Sequence, residues 1–323
     1  MVEQTIFQMI VVLIGALTTS GCAVLYFKYV RLERPAVGVF NMRDIGILLL
    51  FIISLPLLYL ALPALGLTIW LVLTFTGAMY FGLRPLLRPR YLWPVIALLL
   101  GGDAWIAYNL LGLAIGWQIY WLFTSTVMLV VAVSVANLYL QGGMRLRHVA
   151  WFALILAGYD FLTVDVLPLS QQLADRFIGR PLDPSIGFRM GIYNANIGLG
   201  DLLVYCCFAI AAYKGFGKRG IIAAFIIITI FGAILPASSS LIISAFVRQG
   251  IGIVVPAQAS FGPAAFVTYL ILSRKTPERS MKEWMAHEAA IGRAAAPGSR
   301  ILRRVTQQPA LADAAVPDLQ GSD

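Results

Sequence analysis

Along this chain, apolar runs of about 20 residues alternate with short polar interruptions rich in Lys and Arg. A run of that length crosses a hydrocarbon core as a helix, because a helix satisfies its own backbone hydrogen bonds where water is absent. Nine segments meet the requirement: 5–27, 44–63, 66–83, 92–112, 116–139, 149–168, 190–213, 220–241 and 251–273. The pattern predicts an all-α, polytopic membrane protein with nine transmembrane helices over 1–273. A cytoplasmic tail over 274–323 is expected to begin amphipathic and to end disordered, since its last stretch is rich in Ala, Pro and Asp. The start, Met-Val-Glu-Gln, carries an acid where a secretory signal has a positive region, so the first segment is read as a mature helix.

Composition agrees with this reading. Of 323 residues, 60% are hydrophobic and 12% charged, with a mean hydropathy of +0.84, which excludes a soluble enzyme. The net charge of +9 does not mark a nucleic-acid binder, because the basic residues sit in short loops between apolar runs. Twelve of them follow spans one, three, five and seven, from Lys28 to Arg219. Four lie on the alternate side (Arg176, Arg180, Arg189 and Arg248), and eight lie in the tail. Lys and Arg are retained in the cytoplasm, so the N-terminus is expected outside and the C-terminus inside. Cys22, Cys206 and Cys207 have no paired spacing, and His287-Glu288 lacks a second histidine because Ile291 stands where it would fall. Neither a metal nor a cofactor is expected.

The acids inside the apolar runs are the informative residues. Asp103, Asp160 and Asp201 fall within predicted spans and Asp165 near the end of one, where an ionisable group costs a few kcal/mol and is a functional candidate by default. Asp160 lies 13 residues beyond Arg147, Asp201 lies 13 before Lys214 and Asp103 lies 13 beyond Arg90, so all three are expected at one depth. That depth is roughly 20 Å from the cytoplasmic edge at ~1.5 Å per residue. Depth alone does not choose a pair.

Local sequence does. Asp201 closes Gly198-Leu199-Gly200-Asp201, whose glycines allow close backbone approach, and Asp160 follows Tyr159 in Gly158-Tyr159-Asp160. These motifs, in spans six and seven of nine, resemble the GxGD-type intramembrane aspartyl proteases, the presenilin and signal peptide peptidase family. The resemblance implies a presenilin-like fold and an aspartic endopeptidase with Asp160 and Asp201 as its catalytic pair. A third element of that family is Pro-Ala-Leu at the start of the ninth helix, matched here by Pro256-Ala257-Gln258 with Gln258 in the place of Leu. Pro263 follows at the offset found in signal peptide peptidases, and Pro236-Ala237-Ser238 is a rival placement at the wrong end of span eight. By resemblance, Pro256, Ala257 and Gln258 dock substrate. A cytoplasmic C-terminus matches signal peptide peptidases, which implies signal-peptide or type II single-span substrates.

Two carboxylates a few Å apart in a low-dielectric site share a proton, which provides one base and one acid without a metal. The Gly250, Gly252, Pro256, Gly262 and Pro263 run is expected to loosen the start of span nine and offer extended backbone to substrate. The alternative class is an ion- or proton-coupled transporter or channel with Asp103, Asp160 and Asp201 as a relay. Asp103, in Gly101-Gly102-Asp103, is otherwise a structural hydrogen-bonding acid, Asp165 a rim residue and Tyr159 a neighbour of the site. Ser238, Ser239 and Ser240 lack an intramembrane His partner for serine catalysis.

Overall fold

The computed structural model describes residues 2–32, 42–113, 115–163, 169–239 and 256–294, apart from the side chains at 42, 170, 171, 174, 175 and 288–294. It divides into a unit of Met1–Glu278 and a unit of Arg279–Asp323. The first is mostly helical. In order it contains α1 (Val2–Tyr29), α2 (Met42–Ala61), α3 (Ala64–Leu83), α4 (Pro89–Asn109), α5 (Gly116–Gln141), α6 (Leu146–Phe161) and the short α7 (Leu169–Phe177). Strands β1 (Ser185–Met190) and β2 (Tyr193–Gly198) follow, then α8 (Leu199–Ile227), a π-helical stretch (Ile228–Ile234), and α9 (Ala257–Lys275). The second unit holds α10 (Met281–Ala294), whose start is capped by a reciprocal Ser280–Glu283 pair; the expected disordered end lies outside the described residues.

Among the described residues, six helices are long and apolar enough to cross a membrane: Val2–Tyr29, Arg43–Ala61, Ala64–Leu83, Pro89–Asn109, Gly116–Gln141 and Leu199–Ser239. Ile47, Leu50 and Leu57 of α2 and Leu65 and Leu73 of α3 are each more than 60% exposed, as lipid-facing side chains are. The longest of the six, 41 residues, is bent back on itself at Gly217, whose φ of 64° and ψ of −139° are outside the helical region. The Tyr205 hydroxyl on the first arm donates to the Gly232 carbonyl on the second at 2.9 Å, so the arms run side by side. The break falls between the expected spans 190–213 and 220–241.

The expected span seven is corrected at its start. Residues 190–198 are not helix: β1 and β2 form an antiparallel hairpin in which Ser185 faces Gly198 and Met190 faces Tyr193. Gly191, first of the two loop residues, takes a φ of +59°, the pattern of a type II′ turn. The reason lies in the side-chain period. Asn194, Ala195, Asn196 and Ile197 alternate polar and apolar, and Ala195 and Ile197 are buried while Asn194 is exposed. Seen as part of a long apolar run, that alternation is masked by the strongly apolar stretch after Leu199.

α5 is the central element, packing against α1, α3, α4, α8 and β1. Its Asn137 donates to the Ala23 carbonyl at 3.1 Å, and its Gln141 bonds both Val30 and Leu32, holding the C-terminal end of α1. β1 lies on α5 so closely that a Cβ on Gly187 would stand 2.9 Å from the Trp121 ring, and Ser125 exchanges two 3.2 Å bonds with the Gly187 backbone. Because Gly187 turns its polar groups to α5, the outer edge of β2 is carried by Asn194, Asn196 and Gly198.

Lys214 is not a loop cation. It is buried in α8, and its Nζ donates to the Leu140 carbonyl at 3.1 Å and to the Met144 carbonyl. It caps the C-terminal end of α5, where the backbone carbonyls and the helix dipole favour a cation.

Candidate active site

The site forms where α6, α8 and α9 converge. α9 approaches α6 through Gly262: a Cβ there would clash with the Ala153 carbonyl oxygen and stand 2.8 Å from the Ala157 Cβ. Small residues on both helices allow this contact. One turn further along each helix, the same contact brings Gln258 of α9 opposite Asp160 of α6. Phe261 stacks on Tyr205 at 4.6 Å and on Phe208 at 5.5 Å, fastening α9 to α8.

Within this frame, Gln258 touches both motif aspartates. Its backbone N–H donates to Asp160 Oδ2 at 3.2 Å, and its side-chain Nε2 donates to Asp201 Oδ1 at 2.9 Å. Pro256 caps α9 in an extended conformation (φ −60°, ψ 143°), so Gln258 is the second helical residue and its N–H has no partner within the helix. Asp160 supplies that partner from a neighbouring helix. Asp201 is the third residue of α8, after the cap residue Gly198. The positive ends of two helix dipoles therefore face the two half-buried carboxylates.

The sequence-derived candidates separate clearly. Asp160, Asp201 and Gln258 are brought together, with Pro256 and Ala257 forming the helix start beneath Gln258, where the Ala257 carbonyl accepts from Ser260 at 3.1 Å. Gly198 ends β2, and a Cβ there would lie 3.8 Å from Asp201 Oδ2; beside Gly200 no described atom lies within 4 Å of that position. These glycines leave room next to the carboxylate and do not seat a neighbouring helix. Tyr159 reaches elsewhere, its hydroxyl 3.4 Å from the Ile53 carbonyl of α2. Ser238 and Ser239 donate to carbonyls of their own helix, at Ile234 and Pro236. Gly262 and Pro263 lie inside regular α9 and do not unwind it; Gly262 serves close packing, while Pro263 is exposed. Asp165, Ser240, Gly250 and Gly252 lie outside the described residues.

Asp103 belongs to a different cluster. It is fully buried, accepts from the Thr124 hydroxyl at 2.6 Å, and accepts from the Leu182 N–H at 2.6 Å. Leu182 has a φ of 60°, rare for a residue with a Cβ, and Asp103 holds it there at the entrance to the hairpin. Asp183 beside it is 3% exposed, accepts from the Ser185 hydroxyl at 2.7 Å, and is pushed up to about 6 chiefly by burial.

Three features escape a reading by sequence. Gln258 as a partner of both aspartates was hidden because no spacing rule links residues 57 and 98 positions apart. Tyr205 is buried in the same convergence, and its spacing one turn beyond Asp201 was the available signal. The hairpin leading into Asp201 was legible only in the two-residue alternation. Among the described residues, no group of three or more His, Cys, Asp or Glu is placed to hold a metal, and the three cysteines are free thiols. No protein-family model matches the chain, and no curated protein matches it.

Proposed function

We propose that this protein is an intramembrane aspartyl endopeptidase with a presenilin-like fold of nine membrane-spanning helices, in which Asp160 and Asp201 hydrolyse peptide bonds of transmembrane segments. The observation that carries the reading is the Gln258 bridge: a residue of the proline-containing motif donates to both carboxylates at once. Motifs separated by tens of residues meet at one point, in the order that the resemblance to GxGD proteases implies.

The chemistry follows from two carboxylates sharing one proton. The ionised carboxylate accepts a proton from water as the water oxygen attacks the scissile carbonyl carbon, and the protonated one donates to the developing oxyanion. Collapse of the tetrahedral adduct breaks the C–N bond and leaves a carboxylic acid and an amine. The space beside Gly200 and the outward edge of β2 at Asn194, Asn196 and Gly198 support entry of an extended substrate strand next to Asp201. No metal or cofactor takes part. With the N-terminus outside and the C-terminus cytoplasmic, as the distribution of Lys and Arg supports, substrates are signal-peptide remnants or type II single-span proteins. Partners are these transmembrane substrates and the lipid bilayer, and nucleic acid is not among them.

The relay alternative requires Asp103 to act with the pair. Its two carboxylate oxygens instead accept from Thr124 and Leu182, which favours the protease. The test is reconstitution with a type II transmembrane peptide. Cleavage by wild type, lost in both Asp160→Ala and Asp201→Ala, is the expected result. Cleavage that survives either substitution overturns the proposal.

A further inference from the structure

Gln258 stands where the resembling family carries Leu, and an amide at that position does what a hydrocarbon does not. Its Nε2 donates to Asp201 Oδ1 at 2.9 Å while its own N–H donates to Asp160 Oδ2 at 3.2 Å, so one residue spans the pair. The residue is 5% exposed, and its Oε1 is buried with no hydrogen-bond partner among the described residues. Leaving an amide oxygen buried and unpaired is costly, so this acceptor points to a donor that arrives with substrate. An amide carries its donor and its acceptor on the same carbon. With the donor on Asp201, the acceptor is held on the same amide group, beside the aspartate pair.

We propose that Gln258 is a positioning residue for the aspartate pair: it orients Asp201 through its side chain and Asp160 through its backbone, and its spare oxygen accepts from a peptide N–H of the substrate. The inference rests on the protease reading for its substrate half alone; the hold on Asp201 is a property of the protein without substrate. The titratable groups around Asp201 are Asp160 from α6 and Tyr205 one turn along α8, while α9 contributes the uncharged Gln258. Removing the amide therefore removes a neutral donor to the aspartate pair and introduces no charge.

Gln258→Met keeps length and volume and discards both polar atoms. The first experiment is an infrared titration of the carboxyl band of the full chain in detergent, with isotope-labelled Asp and no substrate. In Gln258→Met the pH midpoint of the buried carboxyl signal is expected to rise by about one unit, a tenfold gain in proton affinity, because a charge-assisted donor has gone. An unchanged midpoint overturns the hold on Asp201, whatever the protein cleaves. The second experiment replaces single amides flanking the scissile bond of a type II peptide by esters. One position is expected to lose about tenfold in kcat/KM with wild type and nothing with Gln258→Met. Equal losses in both proteins overturn the substrate contact. Loss of activity in both alanine variants of the aspartates, with no effect at Gln258, would leave the protease standing and end this proposal. An infrared shift without any cleavage by wild type would end the protease and the substrate contact and leave the hold on Asp201 standing.

Discussion

Gly262 and Ala157 meet where α9 crosses α6, so closely that a Cβ on Gly262 would stand 2.8 Å from that of Ala157. Gln258 and Asp160 lie one turn beyond this crossing, so the packing of two small residues sets the hydrogen bond at the site.

Widening that crossing is expected to disable the site without unfolding the protein. Gly262→Val forces α6 and α9 apart, and a displacement of about 1 Å at a catalytic group costs on the order of a hundredfold in rate. Peptide cleavage per folded molecule, with folding checked by gel filtration and circular dichroism, measures it. Retention of more than half the wild-type rate would contradict the packing argument.

Asp103 is expected to matter for stability and not for chemistry. Asp103→Ala leaves the Leu182 N–H and the Thr124 hydroxyl buried without their acceptor, at a cost of about 2–4 kcal/mol. Denaturant unfolding in mixed micelles should register the loss, while cleavage per folded molecule stays near wild type. Proton flux in liposomes that disappears with Asp103→Asn would instead restore the relay.

The pH dependence of folding has a sign set by Asp183. Its carboxyl is pushed up to about 6 by burial, above the unfolded value near 3.9, so the folded state binds the proton more tightly. This contribution is fully present below about pH 4 and is lost as pH rises through about 6. Acidification from pH 7 to pH 5 should therefore stabilise the protein by about 1 kcal/mol or more. The gain should vanish in Asp183→Asn, measured as the thermal midpoint at several pH values.

The far end of α6 is held by Glu278, which accepts from the Leu146 N–H at 2.5 Å and the Arg147 N–H at 3.4 Å. These are unpaired donors of a helix start, and an acid there also meets the positive end of the dipole. Glu278→Ala should cost about 1–2 kcal/mol. Faster hydrogen exchange confined to residues 146–150 should accompany it; exchange spread evenly over the chain would argue against a local cap.

Much of the architecture was legible in the chain. Apolar length marks the helices, and the split between 190–213 and 220–241 corresponds to the bend at Gly217 inside one continuous helical stretch. The hairpin at 185–198 was not legible from apolar length, because a β-alternation of two residues is short beside a helical run that follows it directly. That correction moves Asp201 from the middle of a helix to its first turn, beside a dipole.

The apolar runs, the loop charges and the two motifs around Asp160 and Asp201 are enough to define a membrane-embedded helical protein and its two principal candidate residues. These signals are local, set by hydrophobicity and spacing along one segment. That Gln258 spans the pair, that Asp103 serves the Leu182 turn and that Lys214 caps α5 emerges only once the chain is folded. Each of those contacts joins segments far apart in sequence; the first depends on how closely α9 crosses α6, which is set by Gly262 fitting against Ala153 and Ala157.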